Sequence, residues 1–142
     1  MMDRELHYLL LIGFNCSNKA IVSQTSKQEL MPGQPKILEF LLEHNGCTQK
    51  EVGLGCVLDK STVTSLLSRM EEQGLITKTF HEKDKRSFQI LLTEKGKRQA
   101  EFVKKVCNGV DQIAWQDIPQ DERQAFLHTF RKILKNFGCT FE

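Results

Sequence analysis

Apolar positions recur at helical spacing along most of the chain and switch to strand spacing once, past its middle. An apolar segment near the start predicts a first helix from about Arg4 to Val22, apolar enough to pack on something other than solvent. QTSKQELMPGQP breaks that period, and its Pro32 and Pro35 suit a helix start, where a missing amide donor costs little. Ile37, Leu38, Leu41 and Leu42 form the stripe of a second helix, which HNG (His44–Gly46) stops. Thr48 and Glu51 spell the capping box of a third. That helix is short and weak: Gly53 and Gly55 each cost about 1 kcal/mol against alanine, and its apolar contacts are Val52 and Cys56. Asp59 caps a fourth helix reaching about Gln73, and Gly74 supplies its stop.

The fourth helix has two distinct faces. Val63, Leu66, Leu67 and Met70 form a core stripe. The opposite face presents Ser61, Thr64, Ser65 and Ser68, flanked by Thr62 and Arg69. A merely solvated face more often carries Glu and Lys, whereas small hydroxyls let a helix press against another surface. LITKTF (Leu75–Phe80) and SFQILLT (Ser87–Thr93) then read as two strands, with Ile76 and Phe80 on one face of the first and Phe88, Ile90 and Leu92 on one face of the second. Thr93 caps a fifth helix from about Glu94 to Trp115, with Gly109 as a possible bend. A sixth follows Pro119, striped by Phe126, Leu127, Phe130, Ile133, Leu134 and Phe137. Its acids lie near the start and its bases near the end, matching the helix dipole.

Two helices joined by a tight turn and followed by a hairpin make a winged helix-turn-helix. The expected class is mainly α with a small β-hairpin wing (α+β), and the flanking N- and C-terminal helices form a dimerisation region. The stripes of the first, fifth and sixth helices offer more apolar surface than one small winged domain can cover. The strand-to-strand segment HEKDKR (His81–Arg86) holds five formally charged residues in six. That density exceeds what a solvated turn needs, and it fits a wing tip reaching nucleic acid.

Composition changes this picture little. Net charge is only +2, but Asp59–Lys105 holds eleven Lys/Arg against seven Asp/Glu, more than the whole chain's excess. No stretch approaches the roughly 20 apolar residues of a membrane span, and the reading is cytoplasmic with no membrane partner. Five cysteines, odd in number and widely spaced without CxxC, read as inert thiols; the sharper alternative is a redox switch at Cys16. His7, His44, His81 and His128 are scattered, so no metal is expected, and no cofactor either. No nucleophile–base arrangement, phosphate-cradling glycine loop or paired carboxylates support an enzyme.

LMPGQPKILEFL, TQKEV, LDKSTVTSLLSRMEEQGLI and DKRSFQILLTEKG together resemble the MarR family of bacterial transcription regulators, over about Leu30–Gly96. The resemblance implies a homodimer of triangular shape, with residues 1–30 and 94–142 as dimerisation helices and 31–93 as the winged DNA-binding domain. It implies repression at a pseudo-palindromic duplex, relieved when a small aromatic or amphipathic effector binds between the domains. Arg86 matches the wing arginine that enters the minor groove, and Asp84 the acid that orients it. Lys83, Lys85 and His81 add phosphate contacts. Ser61, Thr62, Thr64, Ser65 and Ser68 line the groove, Lys60 and Arg69 lie near phosphates, and Thr48 and Gln49 open the helix that crosses the backbone.

This chain departs from the family pattern in places. Ser65 stands where an arginine is frequent, which makes direct readout modest. Val57 stands where a glycine is frequent; a left-handed residue there is strained, so the turn is expected to differ. Met31 replaces a frequent capping threonine. Two other readings stay open: a thiol-based redox-sensing regulator of the same fold, and a winged-helix module that binds protein rather than DNA.

Overall fold

The computed structural model describes residues 2–80 and 87–140. The chain divides into two units, Met1–Val110 and Asp111–Glu142.

In the first unit, α1 spans Leu6–Thr25 after a 3-10 turn at Met2–Arg4, so it begins and ends later than the apolar pattern implies. At its polar end the Ser23 and Thr25 hydroxyls donate back to the Ala20 and Val22 carbonyls, at 2.9 and 3.4 Å. Helix α2 (Gln34–Glu43) starts from a left-handed Gly33 with φ 93°. Met31 lacks the hydroxyl of a capping threonine, and Gln34 turns back instead: its Oε1 accepts from the Met31 amide at 3.0 Å.

Strand β1 (Cys47–Thr48) precedes α3 (Gln49–Cys56). The capping box is present: the Glu51 amide donates to Thr48 Oγ1 at 3.2 Å, and the Thr48 amide to Glu51 Oε1 at 3.4 Å. Gly55 is a fit rather than a weakness, since a Cβ there would run into the Phe40 ring of α2. The following turn does keep a left-handed residue, contrary to expectation: Val57 adopts φ 56°, ψ 51° and caps α3. Its side chain is 89% exposed, so nothing packs it into that strained region.

Helix α4 (Lys60–Glu72) leads into β2 (Ile76–Phe80) and β3 (Phe88–Leu92). The hairpin runs in register from Ile76 opposite Leu92 to Phe80 opposite Phe88. The sheet has three strands, not two, in the order β1-β3-β2. Strand β1 pairs antiparallel, Cys47 facing Ile90, and two residues are too few to show a period. Ile37, Leu38, Leu41, Val52, Val63, Leu67, Met70, Ile76 and Ile90 form a core at 0 to 1% exposure. Phe80 shares Ile76's face of the strand but is 66% exposed, because the hairpin has left that core by Phe80.

Helix α5 (Glu94–Ala114) is continuous through Gly109. Thr93 caps it, accepting from the Gly96 amide at 3.0 Å, while the Thr93 hydroxyl donates to the Gly74 carbonyl at 2.6 Å. Gly96 presses so closely on Leu75 that a Cβ would overlap its carbonyl oxygen.

In the second unit, Pro119 opens α6 (Gln120–Asn136). Arg123 closes the end of the preceding helix by donating to the carbonyls of Ile118 and Trp115, at 2.7 and 3.1 Å. Trp115, Phe126 and Phe130 form an aromatic row, with ring centroids 6.0 and 5.6 Å apart. No residue of α6 is buried.

Candidate nucleic-acid interface

Helix α4 is held from behind. Val63, Leu67 and Met70 are fully buried, and Leu66 is half-buried. Burying an aliphatic side chain stabilises by roughly 1.5–3 kcal/mol, so this stripe fixes which face points out. The helix end is fixed too. The Gln34 amide, fully buried, donates to Gln73 Oε1 at 2.8 Å, and Lys95 Nζ donates to the Gln73 carbonyl at 2.9 Å.

The outward face holds the expected residues. Lys60, Ser61, Thr64, Ser65, Ser68 and Arg69 are exposed and Thr62 is half-buried. With Glu72, all but Thr62 line an open trough of about 730 Å³. At the trough's start Asp59 gathers three donors: the Thr62 amide at 2.8 Å, the Ser61 hydroxyl at 2.8 Å and the Thr62 hydroxyl at 3.0 Å. These bonds, the amide's first, hold the Asp59 carboxyl below its ordinary range.

Gln49 joins α3 to α4, its Nε2 donating to Thr64 Oγ1 at 2.6 Å, and Thr64 in turn donates to the Lys60 carbonyl at 2.9 Å. Thr48 is taken up by the capping box. Arg69 donates to the Met31 thioether, a partner that sequence spacing gave no sign of. Around the hairpin, Lys78 lies over the Phe88 ring at 5.3 Å, and Phe80 meets Phe88 edge-on at 5.5 Å. His81, Lys83, Asp84, Lys85 and Arg86 lie outside the described residues.

A cavity of about 720 Å³ is lined by apolar Leu54, Leu58, Val63 and Phe88 together with Thr48, Gln49, Lys50, Lys60 and Ser87. Cys16 is exposed on α1. Cys47 and Cys56 are buried, and burial pushes both thiols up to about 11, so they stay protonated near neutral pH. Among the described residues, no group of three His, Cys, Asp or Glu could hold a metal ion, and no helix is long and apolar enough to cross a membrane.

The family model described as MarR family matches residues 30–87. Over 122 residues the chain is 33% identical to the organic hydroperoxide resistance transcriptional regulator of Bacillus subtilis, covering 84% of this chain and 83% of that protein. Among solved structures it is similar to a MarR family regulator from Listeria monocytogenes complexed with a 26mer DNA, at TM-score 0.89 and 17% identity, over 94% of this chain and 89% of that one. It is also similar to BpsR of Bordetella bronchiseptica, whose DNA binding is described as regulated by 6-hydroxynicotinic acid, at TM-score 0.81 and 19% identity, over 94% and 95% of the two chains. At these identities the structural likeness speaks for the fold alone.

Proposed function

The chain belongs to the MarR family of transcriptional regulators, and on that premise we propose that it represses transcription as a homodimer bound to a pseudo-palindromic duplex. The observation that carries this reading is the outward face of α4: hydroxyls and two cations in an open trough, on a helix whose other face is anchored by fully buried Val63, Leu67 and Met70. A helix so held can lie in a major groove about 12 Å wide. The residues assigned to the duplex are Thr48, Gln49, Lys60, Ser61, Thr62, Thr64, Ser65, Ser68 and Arg69, with His81, Lys83, Asp84, Lys85 and Arg86 from the wing. Residues 31–93 form the DNA-binding domain, and residues 1–30 and 94–142 pair with those of a second copy. The DNA complex of the Listeria neighbour supports the first half of this reading.

A small aromatic or amphipathic effector relieves repression. The effector described for BpsR supports that class.

Fluorescence anisotropy with the duplex upstream of the chain's own gene tests the proposal. Binding is expected at low salt and weakens steeply as salt rises, and Arg86→Ala reduces it. No binding to that duplex at low salt, with Arg86→Ala indistinguishable from wild type, contradicts the reading.

A thiol-oxidation input is the second reading, favoured by the identity to a regulator of organic hydroperoxide resistance and by the exposure of Cys16. Unchanged DNA affinity after peroxide treatment dismisses it.

A further inference from the structure

The hydroxyls on α4 are not equivalent. Ser61 and Thr62 both donate their protons to the Asp59 carboxylate, at 2.8 and 3.0 Å. Each therefore presents only oxygen lone pairs outward. Thr64 donates to the Lys60 carbonyl at 2.9 Å and accepts from Gln49 at 2.6 Å, which leaves its methyl group and one lone pair, and no donor, to offer. Ser65 and Ser68 are exposed and line the same trough, and among the described residues neither hydroxyl has a hydrogen-bond partner. Arg69, at the far end of the trough, gives one N–H to the Met31 thioether, a weak acceptor, and keeps its other donors for the phosphates assigned to it above.

We propose that Ser65 and Ser68 supply the direct base readout that α4 makes, donating to purine N7 on base edges, while Ser61, Thr62 and Thr64 shape the helix and supply no donor. This rests on the DNA-binding reading above and assigns the readout within it. The reason is one of cost. A base acceptor can take a proton from Ser65 or Ser68 without breaking an existing bond. To take one from Ser61, Thr62 or Thr64 it must displace a carboxylate or a backbone carbonyl, and a charged acceptor is the stronger competitor. Base donors such as adenine N6 or cytosine N4 can still approach the lone pairs of Ser61 and Thr62. The two freely donating serines lie at i and i+3, one above the other on the helix, so the purine acceptors they read lie close together in each half-site.

The test begins by enriching a duplex from a random library with the full chain. Each purine of the enriched half-site is then replaced by 7-deazapurine, which removes the N7 acceptor. Wild type is expected to lose about 3- to 10-fold in affinity at one or two neighbouring positions, the worth of a single hydrogen bond. Ser65→Ala with Ser68→Ala loses a similar factor on the natural duplex and shows no further loss on the deaza duplexes. Its affinity for a scrambled duplex is unchanged, which a merely structural defect would not allow. Thr64→Val and Ser61→Ala keep the full deaza sensitivity.

Deaza sensitivity that survives in the double serine variant, or that vanishes in Thr64→Val or Ser61→Ala, overturns the assignment, as does a wild type insensitive at every purine. Enrichment of no duplex at all instead overturns the DNA-binding reading beneath it.

Discussion

Helices α4 and α6 carry apolar stripes of similar quality, and only one is covered within the unit that holds it. In α4, Val63, Leu67 and Met70 are at 0% exposure, and the opposite face is left to hydroxyls and cations. In α6, Leu127, Phe130, Ile133 and Leu134 are half-buried, and no residue is buried. Phe126 and Phe137 are 54 and 67% exposed. Helix α1 behaves like α6: Leu6, Leu9, Leu11 and Phe14 are 46 to 60% exposed, and the only residue it buries is Thr25. The contrast separates two kinds of apolar stripe. One completes a fold inside a single chain. The other is finished by something else, which in our account is a second copy.

The largest effect is expected inside the region that one chain completes. Gly96→Val puts side-chain carbon where the Leu75 carbonyl stands; backbone cannot move aside cheaply, and urea unfolding should show a loss of more than about 3 kcal/mol. A change on the other kind of stripe should act on assembly instead. Leu134→Glu is expected to weaken self-association at least about 30-fold, the scale of a central interface residue, in sedimentation experiments. Its far-ultraviolet circular dichroism should stay that of wild type. If Leu134→Glu unfolds the chain without shifting the monomer–dimer balance, the contrast between the helices is wrong.

Smaller effects sharpen the description of the α4 side. Val57→Gly should raise stability by about 1 kcal/mol, because a β-branched residue leaves the left-handed region and its side chain, 89% exposed, gives up little packing. Thermal unfolding reads this directly. The Asp59 cap should give the mildest signal, a dependence on pH. Its folded pKa lies below the ordinary 3.8, so the cap contributes in full above that value and is lost as pH falls below it. The stability gap between wild type and Asp59→Ala should therefore be widest near neutrality and narrow as pH falls below the ordinary carboxylate range.

Much of the α4 side was legible in the sequence. Thr48 with Glu51, Asp59 and Thr93 are capping residues whose partners lie within three positions, and such local chemistry is written in order along the chain. The Val63, Leu67 and Met70 stripe is legible for the same reason. What escaped notice depends on contacts between distant positions. Gly55 looked like a poor helix former because Phe40, which lies against it, is fifteen residues away. Gln34 and Gln73, which hold the end of α4, have no spacing that marks them as a pair, and neither do Met31 and Arg69. Strand β1 exists through its pairing with β3. Val57 shows the converse. The strain was foreseen, but the turn accepts it, because α3 must end and α4 must begin within three residues. The wing residues His81 to Arg86 carry the strongest sequence signal for nucleic acid and lie outside the described structure, so their role stands as proposed.

The account's central claim is that two copies of this chain read one duplex. Native mass spectrometry of the protein mixed with its enriched duplex tests it most directly. Two chains per duplex is the predicted species, with Leu134→Glu abolishing it; a single chain bound stably to the duplex, or no complex at all, would contradict it.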